Sequence, residues 1–177
     1  MEVVRVLVEQ GADIDKAKDD GCTPLFIASQ EGHVDMVRVL VERGADINKA
    51  SNNGCTPLYT ASYNGHVDVV KVLVEQGADI DKAKDSGATP LYVASQEGHV
   101  DVVSVLLEQG ADIDKAADDG YTPLYVASQE GHVEVVRALL DQGADINKTW
   151  DGLTPLQIAL QENHTEIIHL LELAAQV

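Results

Sequence analysis

Apolar residues recur along the chain with the period of short helices, and residues that start or stop a helix bound each stretch. Thr23 and Pro24 precede a largely apolar run that ends near Glu31. A threonine side chain accepts a hydrogen bond from a free N–H at a helix start, and proline suits the first helical position. Gly32 can adopt the left-handed conformation that ends a helix. The pattern therefore predicts a short helix from Pro24 to about Glu31.

A second helix is predicted directly after His33. Its apolar residues follow the spacing i, i+3, i+6 and i+7, which places on one helical face Val34, Val37, Leu40 and Val41. Gly44 is predicted to end this helix. The residues from 45 to 54 are polar and rich in turn formers, which predicts a protruding hairpin or loop.

The same pattern returns about every 33 residues. Thr-Pro-Leu begins at Thr23, Thr56, Thr89, Thr122 and Thr154. Gly-Ala-Asp-Ile begins at Gly11, Gly44, Gly77, Gly110 and Gly143. Gly-His begins at Gly32, Gly65, Gly98 and Gly131, and Asn163-His164 takes its place in the last copy. Three interleaved registers of this kind indicate a tandem repeat.

One pair of short helices cannot bury its apolar faces alone, so neighbouring pairs are expected to stack into a single continuous core. We therefore expect one domain spanning residues 1–177. Residues 1–17 form a partial repeat that contains only a second helix, and residues 150–177 form a C-terminal capping repeat. The full repeats between them are 18–50, 51–83, 84–116 and 117–149.

These motifs closely resemble the ankyrin repeat family. Residues 87–112 carry the whole series: Gly-x-Thr-Pro-Leu, alanine, Gly-His, a Val/Leu-rich second helix and Gly-Ala-Asp. The resemblance implies an all-α solenoid of stacked helix-turn-helix units with protruding hairpin loops. Many members have histidine after Thr-Pro-Leu, whereas this chain has Phe26, Tyr59, Tyr92, Tyr125 and Gln157.

The charge balance narrows the range of partners. The chain has 12 Lys and Arg against 30 Asp and Glu, a formal net charge of −18. Nucleic-acid binding depends on cationic side chains, and anionic membrane surfaces repel an acidic protein, so neither is expected as a partner. No apolar run approaches the ~18 residues that a membrane span requires. With two cysteines and no secretory signal pattern, the expected location is intracellular and most simply cytoplasmic.

The residues that could be catalytic or bind a metal ion are better explained by structural roles. Catalysis needs unlike groups converging on one pocket, whereas a repeat places identical groups along a line, so an enzyme is not expected. The column of histidines is expected to stabilise the loop between the two helices, and it comprises His33, His66, His99, His132 and His164. Asp13 and Asp15 begin a stretch like a calcium loop, but Lys18 occupies the position of its invariant glycine. We therefore predict solvated loop carboxylates there, with no metal and no cofactor.

The resemblance also implies where a partner would bind, because partners of ankyrin repeats usually lie along the concave side. That side is formed by the hairpin tips and the outward residues of the first helix. Carried over by position, the hairpin residues are Asp19, Asp20, Asn52, Asn53, Asp85, Asp118, Asp119, Tyr121 and Trp150. The helix residues are Gln30, Glu31, Tyr63, Asn64, Gln96, Glu97, Gln129 and Glu130. This surface is acidic in every unit except 51–83, where Tyr63 flanked by amides resembles a binding hot spot.

Two functional hypotheses follow. The first is a protein-interaction module whose acidic concave side binds a basic protein segment. The second is a structural or engineered scaffold without a dedicated ligand. It is favoured by the sameness of the units, since 84–116 and 117–149 share Leu-Tyr-Val-Ala-Ser-Gln-Glu-Gly-His-Val. A monomer is expected, with self-association as an alternative if Val3, Val6 and Leu7 lie uncovered.

Overall fold

The computed structural model describes residues 11–149 and 151–176, and within them the chain forms ten α-helices and no β-strand. The helices that follow a Thr-Pro are α1 (Pro24–Gln30), α3 (Pro57–Tyr63), α5 (Pro90–Gln96), α7 (Pro123–Glu130) and α9 (Pro155–Gln161). Each is followed by a second helix: α2 (Val34–Glu42), α4 (Val67–Glu75), α6 (Val100–Glu108), α8 (Val133–Asp141) and α10 (Thr165–Ala174). A unit below means one such pair with the hairpin before it.

Every first helix begins with the same N-terminal cap. The side-chain oxygen of Thr23 accepts the backbone N–H of Phe26, and Pro24 occupies the first turn. The other four first helices repeat this contact at 3.1 to 3.3 Å. The predicted cap is therefore confirmed, and it fixes the start of each first helix to within one residue.

Glycines end the helices where the sequence predicts. Gly32 has a φ of 72° and Gly44 a φ of 88°, both in the left-handed region. On the second helix between them, Val37 and Leu40 are buried. Val34 and Val41 are half-buried and pack against the same core. The predicted apolar face is confirmed.

Consecutive helix pairs pack side by side into a stack. The leucine of each Thr-Pro-Leu is buried at the centre of a continuous core: Leu25, Leu58, Leu91 and Leu124 are fully inaccessible, and Leu156 is partly buried against them. First helices pack more closely on one another than second helices do. This architecture confirms the predicted all-α solenoid.

The predicted repeat boundaries and the predicted N-terminal apolar residues are not tested by this structure. The boundaries at 18–50, 51–83, 84–116 and 117–149 stay a prediction, because the core runs through the stack without a break. The uncovered apolar residues expected at Val3, Val6 and Leu7 lie outside the described part of the chain. Among the described helices, none has the length and apolar character that crossing a bilayer demands.

Candidate functional site

The predicted contact residues lie at the hairpin tips and at the ends of the first helices, and we call this set the groove face. Tyr121, Gln96 and Gln129 are half-buried, and Trp150 lies outside the described residues. The remaining members are exposed: Asp19, Asp20, Gln30, Glu31, Asn52, Asn53, Tyr63, Asn64, Asp85, Glu97, Asp118, Asp119 and Glu130. The described members recur at matching positions of the units, and a hairpin residue (Asp119) and a helix-end residue (Glu130) both lie near the hydroxyl of Tyr92.

Neighbouring hairpins are joined through their backbones. The N–H of Asn52 donates to the carbonyl of Asp20 at 2.9 Å, and its side-chain amide donates to the carbonyl of Asp19 at 2.8 Å. The N–H groups of Asp85 and Asp118 make the matching bonds to Asn53 and Ser86. The tips therefore form a continuous edge, and a partner would meet a fixed row of side chains.

Two of the predicted contact carboxylates also have a structural role. Those of Asp85 and Asp118 lie directly against the preceding hairpin, where Gly54 and Gly87 leave room for them. A side chain at either glycine would collide with the carboxylate of the next unit. Sequence reasoning missed this role, although the glycine that recurs two residues before each Thr-Pro could have indicated it.

Carboxylates on the hairpins are further stabilised by their own turns. Asp20 accepts the N–H of Cys22 at 2.9 Å, and this bond is the main reason that the pKa of Asp20 is lowered. Asp119 accepts the N–H of Tyr121 in the same way, at 3.2 Å. Both carboxyl groups are exposed to solvent.

A column of aromatic rings forms the floor beneath the groove face. Phe26, Tyr59, Tyr92 and Tyr125 are each no more than 7% exposed. They pack into a second hydrophobic cluster, separate from the main core, with Cys55, Ala88, Val93, Ala117, Val126 and Ile158. The sequence showed this column only as a departure from the family pattern. Its 33-residue recurrence is the signal that could have identified it as a core.

Burial in this floor raises the pKa of the tyrosine hydroxyls. Desolvation is the first cause, and together with the nearby charges of Asp119 and Glu130 in the next unit it raises the pKa of Tyr92 to about 12. These tyrosines therefore stay neutral at physiological pH and present hydroxyls beside carboxylates.

Lys84 shows how a cation can approach this floor. Its ammonium group lies 5.4 Å from the centre of the Tyr59 ring, within the range of a cation–π contact. At Tyr92 the matching hairpin residue is Ala117, so that ring has no such lysine above it. The ammonium group of Lys84 thus lies over one ring of the floor, and the matching position over Tyr92 has no cationic side chain from this hairpin.

The unit that departs from the acidic pattern exposes one large aromatic side chain. Tyr63 is 48% exposed, and its carbonyl is held by the ring of His99. The side-chain amide of Asn64 donates to the carbonyl of Thr60 within the same helix. Tyr63 therefore projects from a fixed backbone. Further along, the rings of Tyr121 and Tyr125 lie 4.7 Å apart, so Tyr121 extends the aromatic floor to a hairpin tip.

The histidine column joins neighbouring units, whereas the sequence suggested a role within one loop. Nε2 of His66, His99, His132 and His164 lies 2.8 to 2.9 Å from a carbonyl at the first-helix end of the preceding unit. A carbonyl oxygen only accepts, so each Nε2 carries the proton. Each of these four rings therefore forms a contact between two neighbouring units. Among the described residues, no group of three or more histidine, cysteine or acidic side chains is placed to hold a metal ion.

The Gly-Ala-Asp-Ile loops also differ from the prediction of merely solvated carboxylates. The Asp15 carboxylate accepts the N–H of Asp46 in the next unit at 3.1 Å, and Asp81 accepts that of Asp112. Within the first loop, Asp13 accepts the N–H of Asp15, and the matching aspartate of every later loop accepts the N–H two residues on. These oxygens accept hydrogen bonds from backbone donors, which gives the acidic residues of these loops a structural role.

Comparison with known proteins agrees with this geometry. The family model described as Ankyrin repeats (3 copies) matches residues 1–51, 48–117 and 114–177. A search of curated proteins found no match. The three matches together cover the whole chain. The Thr-Pro motif caps each first helix, and the recurring glycines adopt the left-handed conformation that ends the helices. The chain therefore belongs to the ankyrin repeat family.

Proposed function

We propose that this chain is a non-catalytic module that binds a basic segment of another protein along its groove face. Ankyrin repeats are generally protein–protein interaction modules and are typically not catalytic. The proposed contact residues are the exposed members of the groove face defined above, with Tyr121, Gln96 and Gln129 at its margin. A net charge of −18 disfavours nucleic acid and anionic membranes as partners.

The observation that carries the proposal is a row of exposed carboxylates above a neutral aromatic floor. Glu31, Glu97 and Glu130 lie at the same position at the ends of α1, α5 and α7 and are exposed, whereas α3 has Asn64 there. On the second helices, by contrast, Arg137 forms salt bridges with Glu134 and Glu166. Like charges about 10 Å apart repel by roughly 0.4 kcal/mol in water, and a Lys- or Arg-rich segment would relieve this repulsion.

The alternative proposal is a scaffold without a dedicated ligand, and the repetition of surface residues supports it. Gln96 and Glu97 recur as Gln129 and Glu130, so two successive units present the same groove-face side chains. A surface shaped for one partner normally differs between units. The alternative predicts that removing carboxylates from the groove face or from the second helices lowers the affinity for a basic ligand equally. Matched substitutions on the two sides distinguish the two proposals.

A charge-neutralising double variant tests the proposal. Replacing Glu97→Gln and Glu130→Gln removes two negative charges and keeps the shape of both side chains. We expect the affinity for an oligolysine peptide at low salt to fall about three- to tenfold, because exposed ion pairs contribute about 0.2–1 kcal/mol each. Isothermal titration calorimetry measures the change, and added salt should weaken wild-type binding.

The matched control places the same two substitutions on the second helices. Glu75→Gln and Glu108→Gln are exposed positions at the ends of α4 and α6, and they change the net charge by the same amount. Wild-type affinity is expected for this control. Equal losses in both double variants would support the scaffold alternative, and binding that ignores ionic strength would contradict the electrostatic basis of the proposal.

A further inference from the structure

Unit 51–83 has an aromatic ring at a position where the other units have an amide. Tyr63 is the last residue of α3, and the matching residues are all glutamine: Gln30, Gln96, Gln129 and Gln161. In the part of the chain that the structure describes, no other aromatic side chain is as exposed as Tyr63, at 48%. The ring of Tyr63 is therefore accessible to a ligand, unlike the buried rings of the aromatic floor.

The position of this ring is fixed relative to the next unit. The carbonyl of Tyr63 accepts a hydrogen bond from Nε2 of His99 at 2.9 Å, and Glu97 precedes that histidine by two residues. Tyr59 lies one turn before Tyr63 in α3, on the same side of the helix. Burial is the first cause of the raised pKa of Tyr59, and the smaller causes include Tyr63 and Glu97. Tyr63 and Glu97 thus lie near the same hydroxyl.

Two acceptors beside the ring are available to a ligand. The side-chain nitrogen of Asn64 donates to the carbonyl of Thr60 at 2.8 Å, which leaves the side-chain oxygen of Asn64 free to accept. Within residues 11–149 and 151–176, neither this oxygen nor the Glu97 carboxylate has a hydrogen-bond or ion-pair partner. A ligand that fits here carries a positive charge and several hydrogen-bond donors, with an apolar surface for the ring.

The neighbouring ring already has a cation over it. The ammonium group of Lys84 lies 5.4 Å from the centre of the Tyr59 ring. This contact shows that the pair of tyrosines in α3 lies within reach of positive charge. Because Lys84 takes the Tyr59 ring, Tyr63 is the ring of this pair that remains for a cation from a partner.

Arginine satisfies these requirements better than lysine does. Its guanidinium group is planar, stacks on aromatic rings and is more weakly hydrated than an ammonium group. It also has five N–H donors around its edge, so a stacked guanidinium can still donate to acceptors beside the ring. Lysine has a compact, strongly hydrated charge that cannot contact the ring and both acceptors in this way.

We propose that Tyr63, Asn64 and Glu97 form a subsite of the groove face that selects an arginine of the partner. We call these three residues the Tyr63 subsite. The inference rests on the proposed function, because the remaining carboxylates of the groove face hold the rest of the basic segment. The partner segment therefore has arginine where it meets unit 51–83, while either lysine or arginine suffices opposite Glu130.

Two peptides of equal charge test the proposal: a heptapeptide of lysine, and the same peptide with arginine at its central position. Isothermal titration calorimetry at low salt measures both affinities. We expect the arginine peptide to bind the wild-type chain about two- to fivefold more tightly, the range of an exposed cation–π contact. Tyr63→Gln is expected to abolish this preference, and Tyr63→Phe is expected to keep it.

Tyr63→Gln also serves as its own control for charge and folding. The substitution leaves the net charge unchanged and introduces the residue that the other units have at this position. Because Tyr63 is exposed, we expect the affinity for the lysine peptide to stay within about twofold of wild type. The comparison thus isolates the contribution of the ring from that of the carboxylates.

A transplanted ring provides the matching gain. Gln96→Tyr, introduced into the Tyr63→Gln chain, moves the ring one unit along to similar surroundings. There the carbonyl of Gln96 lies 2.8 Å from Nε2 of His132, Tyr92 lies one turn earlier, and Glu130 takes the place of Glu97. We expect the preference for the arginine peptide to return. A transplant without this effect would contradict the proposed composition of the subsite.

The outcomes separate this inference from the proposed function. Salt-dependent binding of both peptides with equal affinity would overturn the Tyr63 subsite alone. So would an arginine preference that survives in Tyr63→Gln, since the carboxylates would then be its source. A peptide with tryptophan at the centre that binds more tightly than the arginine peptide would mean that the ring selects an apolar side chain. Absence of binding by either peptide at low salt would overturn the proposed function as well.

Discussion

Replacing Tyr92 by alanine is expected to lower the free energy of unfolding by about 3–4 kcal/mol, the range found when a buried aromatic side chain is truncated. Tyr92 is only 7% exposed and lies in the middle of the aromatic floor, with partners in the units on both sides. The substitution thus opens a cavity at two junctions at once. Urea denaturation followed by circular dichroism measures the loss.

The matched control is Tyr92→Phe, which keeps the ring and removes only the hydroxyl. We expect a change within about 1 kcal/mol, because packing area accounts for most of the contribution of a buried ring. If Tyr92→Ala lost no more than Tyr92→Phe, the ring would not be part of a core. The aromatic floor would then be a surface feature without a role in stacking.

Gly98→Ala is expected to lower the free energy of unfolding by about 2–3 kcal/mol through two effects. Its φ of 76° is a left-handed conformation that costs an alanine roughly 1–2 kcal/mol. The added Cβ would also lie 2.6 Å from Nδ1 of His132 and would displace the ring from the carbonyl of Gln96. Loss of that hydrogen bond contributes about 1 kcal/mol more.

Gly110→Ala separates the two effects. Gly110 has a similar φ of 86°, but no heavy atom lies within 4 Å of an added Cβ. Only the conformational cost of roughly 1–2 kcal/mol is therefore expected, again from urea denaturation. Equal losses for the two variants would mean that the histidine contact does not stabilise the junction between units.

Local structure was largely predictable from the sequence because short-range chemistry determines it. Thr23 and Pro24 specify a helix start, Gly32 and Gly44 specify helix ends, and each signal acts within a few residues. The apolar spacing after His33 likewise predicts which side of the second helix is buried. Repetition of these signals then implies stacking, since no single pair can bury its own apolar side.

Contacts between units were harder to predict, because they join residues about 31 to 36 positions apart. The partner of His66 is a carbonyl of the preceding unit, at Gln30, and a backbone carbonyl leaves no trace in the side-chain pattern. The bond from Asp46 to Asp15 is of the same kind. Side-chain identity indicated that these residues mattered but did not reveal which unit they contact.

The exposure of most predicted contact residues could be anticipated from the sequence, but the packing beneath them could not. Family resemblance placed Glu97 and Glu130 on the surface, where the structure finds them exposed. The family resemblance could not show that Asp118 packs against Gly87. Nor could it show that the Tyr92 ring is buried near the carboxylates of Asp119 and Glu130. Those facts depend on how closely two units approach each other, which is a property of the stack and not of any one repeat.

An amide NMR titration with oligolysine at low salt tests the central claim most directly. Binding along the groove face predicts shift changes at the first-helix ends and hairpin tips, including Glu97, Glu130 and Asp119, while the amides of α6 and α8 stay unchanged. Shift changes concentrated on α6 and α8, or spread evenly over both sides of the stack, would contradict the account.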